Sequence, residues 1–230
     1  MDINTSDFDR KDAFDILLQR TLHVKSHLAF RMWARGISLP LRLEAALRRQ
    51  AILSGVVSDA RSEFNEIKEF LDAREFKPNR VVDIGCGHGI IDLFFARAYG
   101  CELHLVDIER TVAQHHDFHA SGAGYASLQK ARAFLERNGV EKGRITTTNP
   151  NKQTLSEDGA DLLISLLSCG FHYPAETYGA FIDASLAPGG IVIMDIRKGS
   201  GQDNFLRRFA IIETVHEAQK YVRIAARMAA

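Results

Sequence analysis

The sequence predicts an α/β fold: a mostly parallel sheet with helices on both faces, closed by an antiparallel C-terminal hairpin and preceded by an N-terminal helical extension. Three observations carry this expectation. Apolar residues recur at helical spacing from Asp12 to about Arg74, short apolar runs alternate with helical stretches after Lys77-Pro78-Asn79, and the last two apolar runs lie too close together for a crossover.

Each element follows in chain order. Phe64, Ile67, Phe70 and Leu71 show the helical period of the first part, where turn signals are sparse apart from Gly36 and Pro40, so three or four helices are expected. Residues 1–75 are read as the helical extension or cap and 76–230 as the main domain. Strands are expected at Val81–Ile84, Glu102–Val106, Ile145–Thr148, Asp161–Leu167 and Ile191–Ile196. The helical material between them includes Ile90–Ala98 and Tyr125–Arg137, the latter stopping at Asn138-Gly139. Phe209–Val215 and Tyr221–Arg227 are strand-like runs separated only by HEAQK, which makes a hairpin. Parallel strands joined by helices need cover on both faces, so one buried layer on each side of the sheet is implied.

Composition narrows the chemistry. With 230 residues, of which 46% are hydrophobic, the chain can bury one full core. Lysine plus arginine equals aspartate plus glutamate at 29 each, so no overall field draws nucleic acid or an anionic membrane, any polyanion binding would have to come from a local patch, and a small-molecule partner is expected. Cys86, Cys101 and Cys169 are odd in number and widely spaced, which fits neither a disulfide framework nor a zinc site and points to a reducing cytoplasm. The opening stretch MDINTSDFDRKDAFD is polar and acidic, and no run reaches the ~18 apolar residues of a membrane span, so neither export nor insertion is expected.

The most informative stretch is VVDIGCGHGII at residues 81–91, where an apolar run meets Asp83 and is followed by Gly85, Gly87 and Gly89. Glycine costs conformational entropy inside an ordered element, so three at alternate positions indicate left-handed torsions or the close approach of another molecule. A strand, a glycine turn and a helix present free backbone N–H groups at the carboxyl edge of the sheet, where ligands of open α/β folds bind. The dinucleotide pattern GxGxxG requires glycine at position 90, which is isoleucine, so a pyrophosphate loop is disfavoured. Asp107 ends the next strand in HLVDIER, 22 residues after Gly85, and suits the two hydroxyls of a ribose. Asp83 beside the loop would repel a diphosphate and attract a cation, so a cationic nucleoside is the expected ligand.

These residues, together with DLLISLLS, LAPGGIVIMDI and the terminal hairpin, resemble class I S-adenosylmethionine-dependent methyltransferases over residues 76–230. The resemblance implies a Rossmann-like seven-stranded sheet whose last strand is antiparallel, with S-adenosyl-L-methionine across the glycine loop. Carried over by position, Asp83, Gly85, Cys86, Gly87 and Gly89 form the loop site, with Gly85, Cys86 and Gly87 at the methionine moiety. Asp107 takes the ribose, Ile108 the adenine, and Thr148 or Asn149 the adenine edge, and Ser165 completes the cofactor set. The sequence departs from the family in TTTNPN, which replaces the usual third-strand acid, and in the expansion TVAQHHDFHASGAG after Asp107. The NPPY-type tetrapeptide for planar nitrogens is replaced by SCGFHYP, which favours methylation of oxygen.

Other constellations carry less. LLSCG lacks the glycine of a nucleophile elbow, because Leu166 stands there, and Cys169 at a strand end reads as a packed thiol. His115, His116, Asp117 and His119 in HHDFH are potential metal ligands, but adjacent side chains diverge, so no metal is expected. Arg20, Lys25, Arg31, Arg35, Arg42, Arg48 and Arg49 face one acid, Glu44, in a local basic run. It reads as a solvated face, a site for an anionic acceptor, or a homodimer interface. His172, in a loop with Gly170, Phe171, Tyr173 and Pro174, is the candidate general base, the alternative being a histidine that only hydrogen-bonds the loop backbone.

The expected activity is therefore methyl transfer to an oxygen of a polar small molecule. A sugar or glycan precursor is preferred, because GYASLQKARAFLERNGV and SCGFHYPAETY resemble bacterial glycan-linked methyltransferases. Methylation of a small amine, a nicotinamide-dependent oxidoreductase and a non-catalytic cofactor-binding module are the alternatives.

Overall fold

A computed structural model of the chain describes residues 2–111, 118–120, 122, 124–156 and 159–228. Four helices come first: α1 (Arg10–Gln19), α2 (His27–Trp33), α3 (Leu39–Leu47) and α4 (Arg49–Asp72). They begin where the local chemistry requires. Asp9 accepts hydrogen bonds from the N–H groups of Lys11 and Asp12 while Asp12 accepts from the N–H of Asp9, a reciprocal cap that starts α1. Pro40 stands in the first turn of α3, where its missing N–H costs nothing.

The sheet follows with β1 (Arg80–Ile84), α5 (Ile90–Tyr99), β2 (Glu102–Val106), α6 (Leu128–Arg137), β3 (Ile145–Thr148) and β4 (Ala160–Ser165). Then come α7 (Gly179–Ser185), β5 (Leu186–Arg197), α8 (Asp203–Leu206), β6 (Phe209–Glu217) and β7 (Tyr221–Met228). The strand order is β3-β2-β1-β4-β5-β7-β6. The seven-stranded sheet and its antiparallel last strand are as expected: β7 runs antiparallel to both β5 and β6 and lies between them.

Alternate residues of the strands face two cores. Val81, Leu103, Leu105, Leu162, Ile164, Ile191 and Ile193 pack beneath α1, α3, α4, α5 and α6, in one core that includes Phe8, Leu17, Ile52 and Phe64 from the N-terminal helices. Val82, Ile84, Val106, Leu163, Val192 and Met194 pack against Tyr173, Tyr178, Ile182 and Phe205 on the other face.

Three details differ from the sequence reading. α6 starts at Leu128 rather than Tyr125, because Ser127 is extended and its hydroxyl accepts the N–H of Lys130. The described residues between β3 and β4 hold no helix; Asn149 begins a tight turn, accepting the N–H groups of Lys152 and Gln153 on its carbonyl. β5 reaches back to Leu186 through Pro188, with a register shift opposite Ala160 and Leu162.

Candidate active site

The glycine stretch forms the turn from β1 into α5, and its three glycines have φ of 80°, 57° and 70° at Gly85, Gly87 and Gly89. Gly85 also lies against a neighbour, since a Cβ there would stand 1.8 Å from the Ser168 hydroxyl. The N–H groups of Gly85 and Cys86 both donate to the carbonyl of Val106, which pins the loop to the end of β2.

Asp107 is buried beside this loop. Its Oδ2 accepts the N–H of Gly87 at 3.0 Å and its Oδ1 accepts the N–H of Glu109 at 2.6 Å. Glu109 reaches that position by adopting a φ of 58°, a conformation side chains rarely take. Burial pushes the pKa of Asp107 up although both backbone donors oppose it. Asp83 is buried alongside the carboxyl of Asp92, from the first turn of α5, and burial followed by that like neighbour raises Asp83 well above the usual range. Burial raises Asp92 too, to about 7, and neither of its carboxyl oxygens has a hydrogen-bond partner among the described residues.

A cleft of about 120 Å³ opens over these groups. Asp83, Gly85, Cys86, Gly87, Asp107 and His172 line it, so the structure brings together six of the residues picked from sequence. Five others stand elsewhere. The Ser165 side chain is fully buried, donating to the Ile84 carbonyl and accepting the N–H of Cys169, so both functions of its hydroxyl are spent inside the sheet. Thr148 faces His104 at 2.9 Å, and the Asn149 amide donates to the Ile108 carbonyl and to Glu109. Gly89 packs on Ala131 of α6, and Ile108 lies under Gly122 and Gly124. The strand and loop parity that turned these side chains away from the cleft is not visible in a motif.

The cleft also contains Arg20 of the basic run and residues that no sequence motif marked. Ile16, Leu18, Gln19 and Arg20 reach it from α1 and its C-cap, and Val56, Ala60 and Glu63 from α4. Arg20 is the single lysine or arginine among the described lining residues, and it holds Glu63 through both terminal nitrogens at 2.5 and 2.8 Å. The rest of the basic run does not line the cleft. His88 is buried at the cleft with its ring edge-on to Phe8, and neither ring nitrogen has a hydrogen-bond partner among the described residues; its nearest carboxylate oxygen belongs to Asp12 at 3.8 Å. A histidine inside the glycine loop was the sequence signal for it.

The loop after β4 closes the cleft. Leu167 has a φ of 49° and donates its N–H to Asp195, and His172 donates its N–H to the Ser168 carbonyl at 2.8 Å. Gln202 accepts the N–H of Ala175 and donates to the carbonyl of Gly170, holding both sides of the loop. His119 donates its N–H to the His172 carbonyl, while His115, His116 and Asp117 lie outside the described residues. Among the described residues no group of histidine, cysteine and carboxylate side chains is arranged to hold a metal. Burial pushes the thiols of Cys86, Cys101 and Cys169 up, the Cys101 thiol to about 12, so each is a packed thiol rather than a nucleophile. Chemically, the lining offers carboxylates and an imidazole to hydroxyl donors and cations, and no uncommitted lysine or arginine to a diphosphate.

No helix among the described residues is long and apolar enough to cross a membrane. No curated protein matches the chain significantly. Among solved structures, an S-adenosylmethionine-dependent O-methyltransferase of Thermotoga maritima is 15% identical over 74% of this chain and 66% of its own, with a TM-score of 0.52. The T. thermophilus 16S rRNA N2 G1207 methyltransferase, solved with AdoMet and guanosine, is 18% identical over 72% and 41%, with a TM-score of 0.50. A protein of Pyrococcus horikoshii OT3 is 13% identical over 74% and 91%, again with a TM-score of 0.50. The chain spans less than half the length of several structures it resembles, 44%, 47% and 41% for three of them. At such identities the likeness establishes the fold. A family model for the methyltransferase domain matches residues 56–223, from within α4 to within β7, and the chain belongs to that family.

Proposed function

We propose that the chain is an S-adenosylmethionine-dependent methyltransferase that acts on an oxygen of a polar small molecule, with a sugar or glycan precursor as the preferred acceptor. The observation that carries this reading is the glycine turn flanked by the buried carboxyls of Asp83 and Asp107, in a cleft whose one arginine is already bound to Glu63. This donor set fits a cationic nucleoside and opposes a diphosphate. Gly87 adds to the fit, because the nearest atom to a Cβ built there is the Gln19 amide at 3.5 Å, so the loop backbone stands open to the cleft.

Asp107 is set to hold a ribose. Each of its oxygens uses one lone pair on a backbone N–H and keeps another for a hydroxyl, and the two backbone bonds fix the carboxylate plane. Asp83, which burial and the neighbouring Asp92 hold toward its neutral form, presents a carboxyl beside the loop. When bound, S-adenosylmethionine would supply an electrophilic methyl group whose leaving group is a neutral thioether. His172 takes the proton that the acceptor hydroxyl loses as its oxygen bonds the methyl carbon. Phe171 packs edge-on to the His172 ring at 4.8 Å, which supports the imidazole. The absence of an NPPY-type motif and of an uncommitted cation in the cleft both favour a neutral hydroxyl acceptor over a planar amide or a nucleotide.

Residues 1–75 serve this reading as a cap whose α1 and α4 wall the cleft, a division of function within a shared core. Titration calorimetry with S-adenosylhomocysteine, NAD and NADP tests the cofactor. Binding of the first alone is expected, and binding of a nicotinamide dinucleotide alone would replace the methyltransferase reading with an oxidoreductase. Mass spectrometry of cell extract incubated with methyl-labelled cofactor then identifies the acceptor, and a labelled nitrogen would exclude the oxygen assignment.

A further inference from the structure

Large apolar side chains are exposed in one region far more than elsewhere. Eight are substantially exposed among the described residues, and six of them, Leu22, Leu28, Ile37, Leu39, Leu43 and Leu47, fall within residues 22–47. Leu39, Leu43 and Leu47 recur every four residues along α3, forming one stripe, while Leu41 and Ala45 on the opposite side are fully buried. Leu47 is 86% exposed and Leu22, in the turn after α1, is 89% exposed. Single exposed leucines are ordinary, but a cluster of this kind marks an interaction surface.

The same region is cationic. Lys25, Arg31 and Arg35 are exposed, and none has a carboxylate partner among the described residues. The one acid of the run, Glu44, is consumed by Arg48 and by the N–H groups of Lys25 and Ser26. This combination separates the candidate occupants. A second copy docked face to face would bring both sets of Lys25, Arg31 and Arg35 into one interface with no free carboxylate of this segment to pair them. A nucleic acid would neutralise the cations and leave the leucine stripe in water. An anionic lipid surface satisfies both, since acyl chains take the leucines and headgroups take the cations.

We infer that the surface formed by α2, α3 and the turns around them docks the protein peripherally on an anionic membrane. No residue from 21 to 55 lines the cleft, so the docking is separate from the transfer chemistry, although α1 packs on α3 and also walls the cleft. The single tryptophan, Trp33, lies on α2, half-buried against the core and stacked on Phe30, within this segment.

The test is flotation of the full chain with vesicles of phosphatidylcholine alone and of phosphatidylcholine with about one-third phosphatidylglycerol, at low and high salt. The protein should float with the anionic vesicles only, release at high salt, and show a blue shift of Trp33 emission when bound. Combined Lys25→Gln, Arg31→Gln and Arg35→Gln should lower partitioning about a hundredfold, at about fivefold per cation. Combined Leu39→Ser, Leu43→Ser and Leu47→Ser should lower it at least tenfold, with the unfolding midpoint and S-adenosylhomocysteine affinity unchanged. Failure of the wild type to float with anionic vesicles at low salt, equal flotation with neutral vesicles, or unchanged flotation of either folded variant would overturn the inference. Self-association that the serine substitutions abolish, without vesicle binding, would assign the face to a second copy.

Discussion

Arg223→Leu is a sharp test of how the sheet holds the cleft loop. Asp195 on β5 lies opposite Arg223 on β7, with carboxylate-to-guanidinium distances of 2.8 and 3.0 Å, and both side chains are fully buried. Asp195 Oδ2 also accepts the N–H of Leu167 at 3.0 Å, so the pair positions the loop that carries His172. In the variant that N–H is the one donor left to a buried carboxyl among the described residues. Breaking a buried pair by removing one partner costs about 3–5 kcal/mol, against less than ~1 for a solvated pair such as Lys68–Asp72. For a domain of this size each kcal/mol moves the unfolding midpoint by about 2–4 °C, so a fall of roughly 6–20 °C is expected at pH 8. Burial already raises the pKa of Asp195 against the pull of Arg223, and losing the guanidinium raises it further. A carboxyl whose folded pKa is raised penalises the fold once the unfolded chain ionises, above about pH 4, so the deficit should grow from pH 5 to pH 8. Thermal melts followed by circular dichroism at both pH values measure it. A midpoint within about 2 °C of wild type at pH 8, or a deficit that grows on acidification, would refute the reasoning.

Three further outcomes are expected. Asp107→Ala should weaken S-adenosylhomocysteine binding at least tenfold by calorimetry, because two charge-assisted hydrogen bonds of about 1.5–3 kcal/mol each are lost, and wild-type affinity in a folded variant would remove the ribose assignment. Gly85→Ala, which adds a Cβ 1.8 Å from the Ser168 hydroxyl at a φ of 80°, should lower both the unfolding midpoint and cofactor affinity, and no change in either would mean that the loop has room to spare. His172→Ala should keep S-adenosylhomocysteine affinity and lower turnover by ~10²–10⁴, with a deficit that shrinks as pH rises; turnover within about threefold of wild type would pass the proton to the buried imidazole of His88 or to no base.

Local features of the chain carried most of the fold. Glu102–Val106 and Ile145–Thr148 match their strands residue for residue, and the helix after the glycines starts at Ile90 as read, because apolar period and glycine torsions act over a few residues. The hairpin was legible in the short HEAQK link, but nothing local said that β7 would insert between β5 and β6. That choice is made by pairing, and the buried Asp195–Arg223 bond is part of it.

The candidate site divides in the same way. Asp83, Gly85 and Gly87 are contiguous, so one motif placed them together, and the alternation of strand and helix was enough to bring Asp107 to the same sheet edge. The partners that give these groups their chemistry come from afar: Arg20 and Glu63 meet across 43 residues, and Asp92 faces Asp83 only because the left-handed glycine turn aims the first turn of α5 back at β1. Thr148, Asn149 and Ser165 show the converse, since they do not line the cleft and their side chains bond His104, Glu109 and Ile84. Sequence alone determined the sheet, the glycine loop and the acids beside it, because propensity and periodicity are short-ranged. Only the tertiary structure decided which side chains face the cleft and with what charge, because burial and pairing depend on what the rest of the chain packs against them.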